Sequence, residues 1–201
     1  MGFRTAPTHF ASKKTKMYVI SSRDNGTRSW DFEMEISMGA DMREPNFFIG
    51  ANNTLHFTYF EAGTNPIAFQ PHHLYRVSRQ GLGKWTQRTE WGQETEITWQ
   101  YTEVERQGVA REIFVSSYAG DHYKPGAKVA VFFNVSHDGE NFRSILKSGG
   151  PVYSGGISEV GYAFAGNGDL YAVGRNEDGD ESGSGRRIWH VPHSTGYQDW
   201  S

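Results

Sequence analysis

Glu159 and Arg175 stand sixteen residues apart, at the two ends of a stretch built to fold back on itself. Between them lie two alternating apolar runs, Val160 to Phe164 and Leu170 to Val173, separated by Ala-Gly-Asn-Gly-Asp. Period-two alternation around a spacer suited to positive φ predicts a β-hairpin. Its open end then brings a carboxylate and a guanidinium into one place. A carboxylate can serve as general base, acid or nucleophile, and a guanidinium grips anionic groups through a planar fork that Lys cannot reproduce. Arg43, in Arg43-Glu-Pro ahead of Asn46 to Ile49, offers a second guanidinium. Glu61 and Asp41 are further carboxylates that could face Glu159 at a glycosidase spacing.

The elements that must position these groups are strands. Aromatic residues make up 14% of the chain and glycines number 24, while no long Leu/Ala/Glu/Lys helical stretch occurs, so an all-β fold of short strands is expected. At 201 residues one domain is the expected organisation. The net charge of −3, with both signs interspersed, points away from nucleic-acid and membrane-surface partners. The absence of cysteine removes disulfides, thiolate metal sites and cysteine nucleophiles. No signal-like h-region opens the chain, and its compartment is left open.

Strand-like runs come in four groups, approximately 1–40, 41–93, 94–148 and 149–201, each ending near an aromatic: Trp30, Trp85, Phe142 and Trp200. In the first group the runs are Thr8 to Ser12, Lys16 to Ser21 and Asp31 to Ile36. The aromatics recur about every 55 to 58 residues, a period typical of four-stranded β-propeller blades. Two groups also carry a compact polar turn. In Ser22-Arg-Asp24-Asn-Gly26 the carboxylate can accept backbone N–H bonds, Gly26 supplies a left-handed position, and Trp30 packs back under the loop. Ser136-His-Asp138 leading to Phe142 is a shortened second copy.

This turn resembles the Asp-box, or BNR repeat, of sialidase-type propellers. The segment Arg43-x-Pro45 before Asn53-Thr-Leu-His-Phe looks like the place of the first arginine of the sialidase substrate triad. Glu159 through Asn167-Gly-Asp-Leu170 to Arg175 resembles the stretch that holds the glutamate partner of the tyrosine nucleophile and the second triad arginine. The resemblance implies a propeller of a six-bladed family, about four blades of it in this chain, and a glycoside hydrolase acting on an anionic, sialic-acid-type glycan. In it Glu159 is the catalytic base, Arg43 and Arg175 bind the substrate carboxylate, and no cofactor or metal takes part. Six blades would need about a hundred more residues, and exposed blade edges would favour self-association. The pattern departs from the family in lacking an Asp between Asp41 and Asp121, where the acid/base belongs. The third arginine and the tyrosine nucleophile also have no match. A non-catalytic glycan-binding or protein-interaction propeller is therefore the competing expectation.

The remaining polar clusters have weaker chemistry. Asn176-Glu-Asp178-Gly-Asp180-Glu-Ser182 alternates oxygen ligands, but Glu181 stands where a calcium loop needs Gly, so a solvated acidic loop is expected. The pairs His72 and His73, and His190 and His193, lack a third ligand of fitting spacing. Trp91, Trp99, Tyr101 and Tyr123 are candidates for stacking on sugar rings. Arg4, with Pro7, echoes the Arg-x-Pro layout at an N-terminus expected to be mobile.

Overall fold

A computed structural model describes residues 1–65, 71–92, 96–105, 111–120, 128–181 and 183–200. The described chain is almost entirely β: four antiparallel sheets and one short 3-10 turn at His193–Thr195. It divides into two compact units, Met1–Thr95 and Glu96–Ser201.

The first unit holds two sheets. Sheet 1 is β1 (Gly2–Thr5), β2 (Lys16–Ser21) and β3 (Asp31–Ser37), paired in that order. Sheet 2 is β4 (Asp41–Ile49), β5 (Leu55–Ala62) and β6 (Pro71–Gly81), with the short β7 (Lys84–Trp85) and β8 (Thr89–Glu90) both paired to β6. Alternation aims Met17, Val19, Met34 and Ile36 of sheet 1 at Met42, Phe57, Tyr59 and Val77 of sheet 2. The two inner faces make a common apolar core.

The second unit repeats the plan. Sheet 3 is β9 (Ile97–Val104), β10 (Glu112–Gly120) and β11 (Val129–Ser136), with β12 (Arg143–Ser144) and β13 (Tyr153–Gly155) both on β11. Sheet 4 is β14 (Ile157–Phe164), β15 (Leu170–Asp180) and β16 (Gly183–Val191). Phe114 and Phe133 of sheet 3 pack against Tyr162 and Phe164 of sheet 4, and Tyr197 and Trp200 close the cluster. Buried aromatic pairs in tilted and edge-on arrangements contribute beyond their area, by about 0.5–1.5 kcal/mol each.

Three expectations need correction. Thr8 to Ser12 is not a strand; bends occupy it, and the first strand is Gly2–Thr5. Arg4 is accordingly not on a mobile terminus: it lies in β1 with its guanidinium bound to Asp41, the Met42 carbonyl and the His9 carbonyl. The acidic stretch from Asn176 is not a solvated loop but the far half of β15, which runs on to Asp180. Buried Asn176 holds that extension by donating to Asp180 Oδ1 at 3.1 Å and to the Gly183 carbonyl at 2.9 Å. Ser182 lies outside the described residues.

Candidate functional site

Several strands carry an extra residue near their beginnings, among them β14, β4 and β9. In β14, Ser158 pairs with Arg175 and Gly161 with Val173, so Glu159 and Val160 oppose a single residue of β15. In β4, Arg43 pairs with Phe60 and Asn46 with Thr58, leaving Glu44 and Pro45 in the same position. In β9 the shift falls between Thr98 and Gln100, with Trp99 as the extra residue. Such bulges bend a strand and re-aim a side chain, and they concentrate beside functional sites. Glu159 has φ +53° and Glu44 has φ +49°. Holding a non-glycine residue there costs roughly 1–3 kcal/mol.

In sheet 4 the bulge delivers Glu159 to Arg175. Arg175 Nη1 donates to Glu159 Oε2 at 2.9 Å and Arg175 Nη2 pairs with Glu177 Oε1 at 2.7 Å. The carboxylate is 17% exposed and the guanidinium 46%, so both remain reachable. The sixteen-residue spacing thus yields the ion pair that the sequence predicts. Arg186 stands opposite Arg175 on β16, so two guanidiniums lie beside the two carboxylates.

Sheet 3 pins the bulge from behind. Ser116 Oγ donates to the Val160 carbonyl at 2.7 Å. The Gln100 amide both donates to the Tyr162 carbonyl, at 2.8 Å, and accepts from the Tyr162 N–H, at 2.9 Å. Tyr162 OH donates to the Phe114 carbonyl at 2.8 Å. Ser116 and Gln100 face each other across β10 and β9, so the bulged parts of β9 and β14, which adjoin Gln100 and Val160, lie at one end of the unit.

At that end sits Glu96, the residue before β9. Ser117 Oγ donates to its carboxyl, and burial pushes that carboxyl above the usual glutamate value of 4.5, with the Ser117 bond acting in opposition. Glu96, Ser116, Ser117 and Gln100 were not singled out in the sequence. Their one local signal is a glutamate directly ahead of an alternating run. Environments that separate two carboxyls, one ion-paired and one desolvated, are how acid and base roles are divided at neutral pH.

Arg43 has a different setting. It lies in β4, 9% exposed, with Nε donating to Asp41 Oδ2 at 3.0 Å, another nitrogen bonded to the His9 carbonyl, and its plane 4.3 Å over Phe10. Asp41, 1% exposed, also accepts from Arg4 at 2.7 Å, Thr15 Oγ1 at 3.0 Å and the Ala11 N–H at 2.9 Å. Burial works to raise its carboxyl; the two arginines and the Ala11 N–H outweigh it and hold it below 3.8. Glu61, in β5, accepts from Tyr75 OH at 3.1 Å.

The two polar turns occupy matching places, joining β2 to β3 and β11 to β12, each leading to an outermost strand. In the first, Ser22 Oγ bonds Asp24 and accepts from the Gly26 N–H at 2.8 Å. Gly26 has φ +76°, and Trp30 packs so closely that an added Cβ would meet its ring at 2.8 Å. In the second, Ser136 Oγ donates to Asp138 at 2.8 Å, and Asp138 accepts the N–H groups of Glu140 and Asn141 at 2.8 Å. Those donations, first the one from Asn141, hold Asp138 well below its usual value.

Among the other candidates, Trp91 stacks on Phe48 and lies under Arg76, and Tyr101 meets Phe142 edge-on. Tyr123 lies outside the described residues. His190 Nε2 stands 2.8 Å from Asp169, and His73 faces Glu90 at 3.8 Å. Among the described residues no three His, Asp or Glu side chains stand together as a metal site. No helix among them is long and apolar enough to cross a membrane.

No family model matches the sequence, and no curated protein does. Solved structures do match its fold. A protein of unknown function from Dyadobacter fermentans superposes with a TM-score of 0.69 at 16% identity, over 100% of this chain and 63% of that one. The GH93 α-L-arabinofuranosidase of Fusarium graminearum, in complex with arabinobiose, superposes with a TM-score of 0.52 at 16% identity, over 95% of this chain and 59% of that one. The chain thus spans about three fifths of the length of each. Four antiparallel sheets of this kind, with those neighbours, make the protein an all-β chain of β-propeller blades.

Proposed function

We propose that the chain belongs to a glycan-cleaving β-propeller in which Glu159 and Glu96 form the working carboxyl pair. The observation that carries this reading is the Glu159 bulge: a positive-φ glutamate, backed by Ser116 and Gln100 and ion-paired to Arg175, at the same end of the unit as a desolvated carboxyl. Glu96 supplies the proton to the departing glycosidic oxygen, and Glu159 acts on the anomeric carbon or on the attacking water. Arg175 orients the Glu159 carboxylate. The structural likeness to an α-L-arabinofuranosidase makes an arabinofuranoside the first substrate to try.

A second reading retains the sialidase-type assignment. Two features support it: the sixteen-residue Glu159–Arg175 pair and the paired Ser-Asp turns in Asp-box position. Glu159 then activates a tyrosine, with Arg175 and Arg43 binding the sugar carboxylate. Tyr162 does not suit the nucleophile's part, because its hydroxyl is buried against the Phe114 carbonyl. The third reading, glycan binding without cleavage, keeps the same surface.

One assay separates them. The protein is incubated with 4-methylumbelliferyl α-L-arabinofuranoside and with the corresponding sialoside, beside Glu159→Gln and Glu96→Gln. Release from the arabinofuranoside, reduced about a thousandfold or more by Glu159→Gln and less by Glu96→Gln with this good leaving group, is the expected result. Release from the sialoside alone favours the second reading. Binding without release leaves the glycan-binding reading, and neither binding nor release refutes all three.

A further inference from the structure

We infer that Trp99 is a sugar-stacking platform at the same end of the unit as Glu159, taking the C–H face of a furanose or pyranose ring. The inference rests on the glycan reading above and adds the subsite that holds the ring.

Three independent observations lead to it. First, Trp99 is the extra residue of the β9 bulge, the place that Glu159 and Val160 fill in β14. Second, Gln100 and Ser116 face each other and hold Tyr162 and Val160, so Trp99 and Glu159, the residues just before Gln100 and Val160, stand at matching levels. Gln100, the very next residue, is the one whose amide grips Tyr162. Third, the indole is unengaged among the described residues. Trp91 and Trp189 have ring or cation partners, Trp200 bonds the Tyr197 carbonyl, Trp85 packs on the first unit's core, and Trp30 covers Gly26. Trp99, half-buried, has neither a ring partner nor a side-chain hydrogen bond among the described residues.

A half-buried tryptophan fixed at its base by a bulge, with no ring partner among the described residues, is a rigid apolar plate with one polar handle. Sugar rings present C–H groups on one face and hydroxyls around the rim. Stacking therefore buries the apolar face while leaving the hydroxyls to water or to carboxylates. Glu159 then meets a ring already oriented, which lowers the entropic cost of the reactive pose.

The test uses the full chain carrying Glu159→Gln, so that sugar binds without turnover, titrated with arabinobiose and, separately, with 3′-sialyllactose. Binding is followed by calorimetry and by the indole N–H signal of Trp99, assigned by its loss in Trp99→Phe. The expected result is a shifted Trp99 signal, with affinity falling about five- to tenfold in Trp99→Ala and much less in Trp99→Phe, in line with the worth of one aromatic contact. Trp99→Phe keeps the test sound should Trp99→Ala misfold. Sugar binding that leaves the Trp99 signal unmoved, or that Trp99→Phe and Trp99→Ala weaken equally little, overturns the platform while the glycan reading stands. Absence of any sugar binding, together with absence of hydrolysis by the unmodified protein, overturns both.

Discussion

The two compact units build the same device and use it in opposite ways. Each begins a strand with a bulge centred on a positive-φ glutamate, Glu44 in one and Glu159 in the other, with arginine–carboxylate pairing close by. In the first unit the carboxylate is the buried partner: Asp41 accepts from two guanidiniums, a hydroxyl and a backbone N–H, and its arginines are turned inward. In the second the pair stays reachable, Glu159 having a single arginine that it shares with Glu177. Saturation marks a structural role, whereas incomplete satisfaction beside a strained backbone marks a site poised to take something else.

Removing the carboxylates tests that contrast most strongly. Asp41→Asn leaves two arginines facing a neutral amide in a buried setting, and a loss of about 3–5 kcal/mol in denaturant unfolding is expected. Glu159→Gln, at a more exposed pair, should cost under about 1 kcal/mol in folding while abolishing turnover. Equal stability losses at the two positions would erase the distinction between them.

Acidity separates Asp41 and Glu33 from Glu96 next. Asp41 and Glu33 are both held down in the folded chain. Burial of Glu33 acts upward but is outweighed by Arg79 and the Gly83 N–H, taking it to about 2. Depressed carboxyls contribute stability that is present above their ordinary values near 4 and lost as pH falls through the folded ones. Glu96 is raised, so the folded chain holds its proton more tightly than the unfolded chain does, and its contribution falls as pH climbs past 4.5 through the raised value. The strands around Asp41 and Glu33 should therefore give way in acid under pulsed hydrogen exchange while the Glu96 region does not. If Glu96 is the acid, activity declines on the alkaline side of its raised value. Ser117→Ala, by removing the donation that opposes the rise, should move that limb to higher pH. A limb that stays in place would leave Glu96 without the proton-donor role.

How far these contrasts could be read from the chain alone depends on what made them. Alternation in Leu170 to Val173 and the Gly/Asn spacer revealed the hairpin, because period two and turn chemistry are local properties. The pairing of Glu159 with Arg175 was legible for the same reason. The bulges were not, since an extra residue shows only against a partner strand. Nor was Asp41's saturation, because Arg4, Ala11 and Thr15 reach it from distant positions. Arg43 illustrates the limit: its motif identified a special arginine, while the side chains around it determined that it points into a buried carboxylate. Glu96 escaped notice because desolvation is a property of the packed sheets, and a glutamate ahead of a strand looks like any other.

The mildest test exchanges guanidinium for ammonium in both units, keeping the charge and removing the planar fork. Arg43 uses that plane three ways, towards Asp41, the His9 carbonyl and the Phe10 ring. Lysine can keep one of these at a time. Arg43→Lys should therefore cost about 1–3 kcal/mol, the scale of an unsatisfied buried partner. Arg175→Lys sits at a half-exposed position where water replaces whatever the fork gives up, so its folding cost should be within about 0.5 kcal/mol. Its effect should instead appear in function, because one ammonium cannot span Glu159 and Glu177 in the geometry that the 2.9 and 2.7 Å bonds define. A several-fold fall in kcat with little change in KM would place Arg175 as the residue that orients Glu159. A rise in KM confined to anionic sugars would instead place it on the substrate and favour the sialidase-type reading.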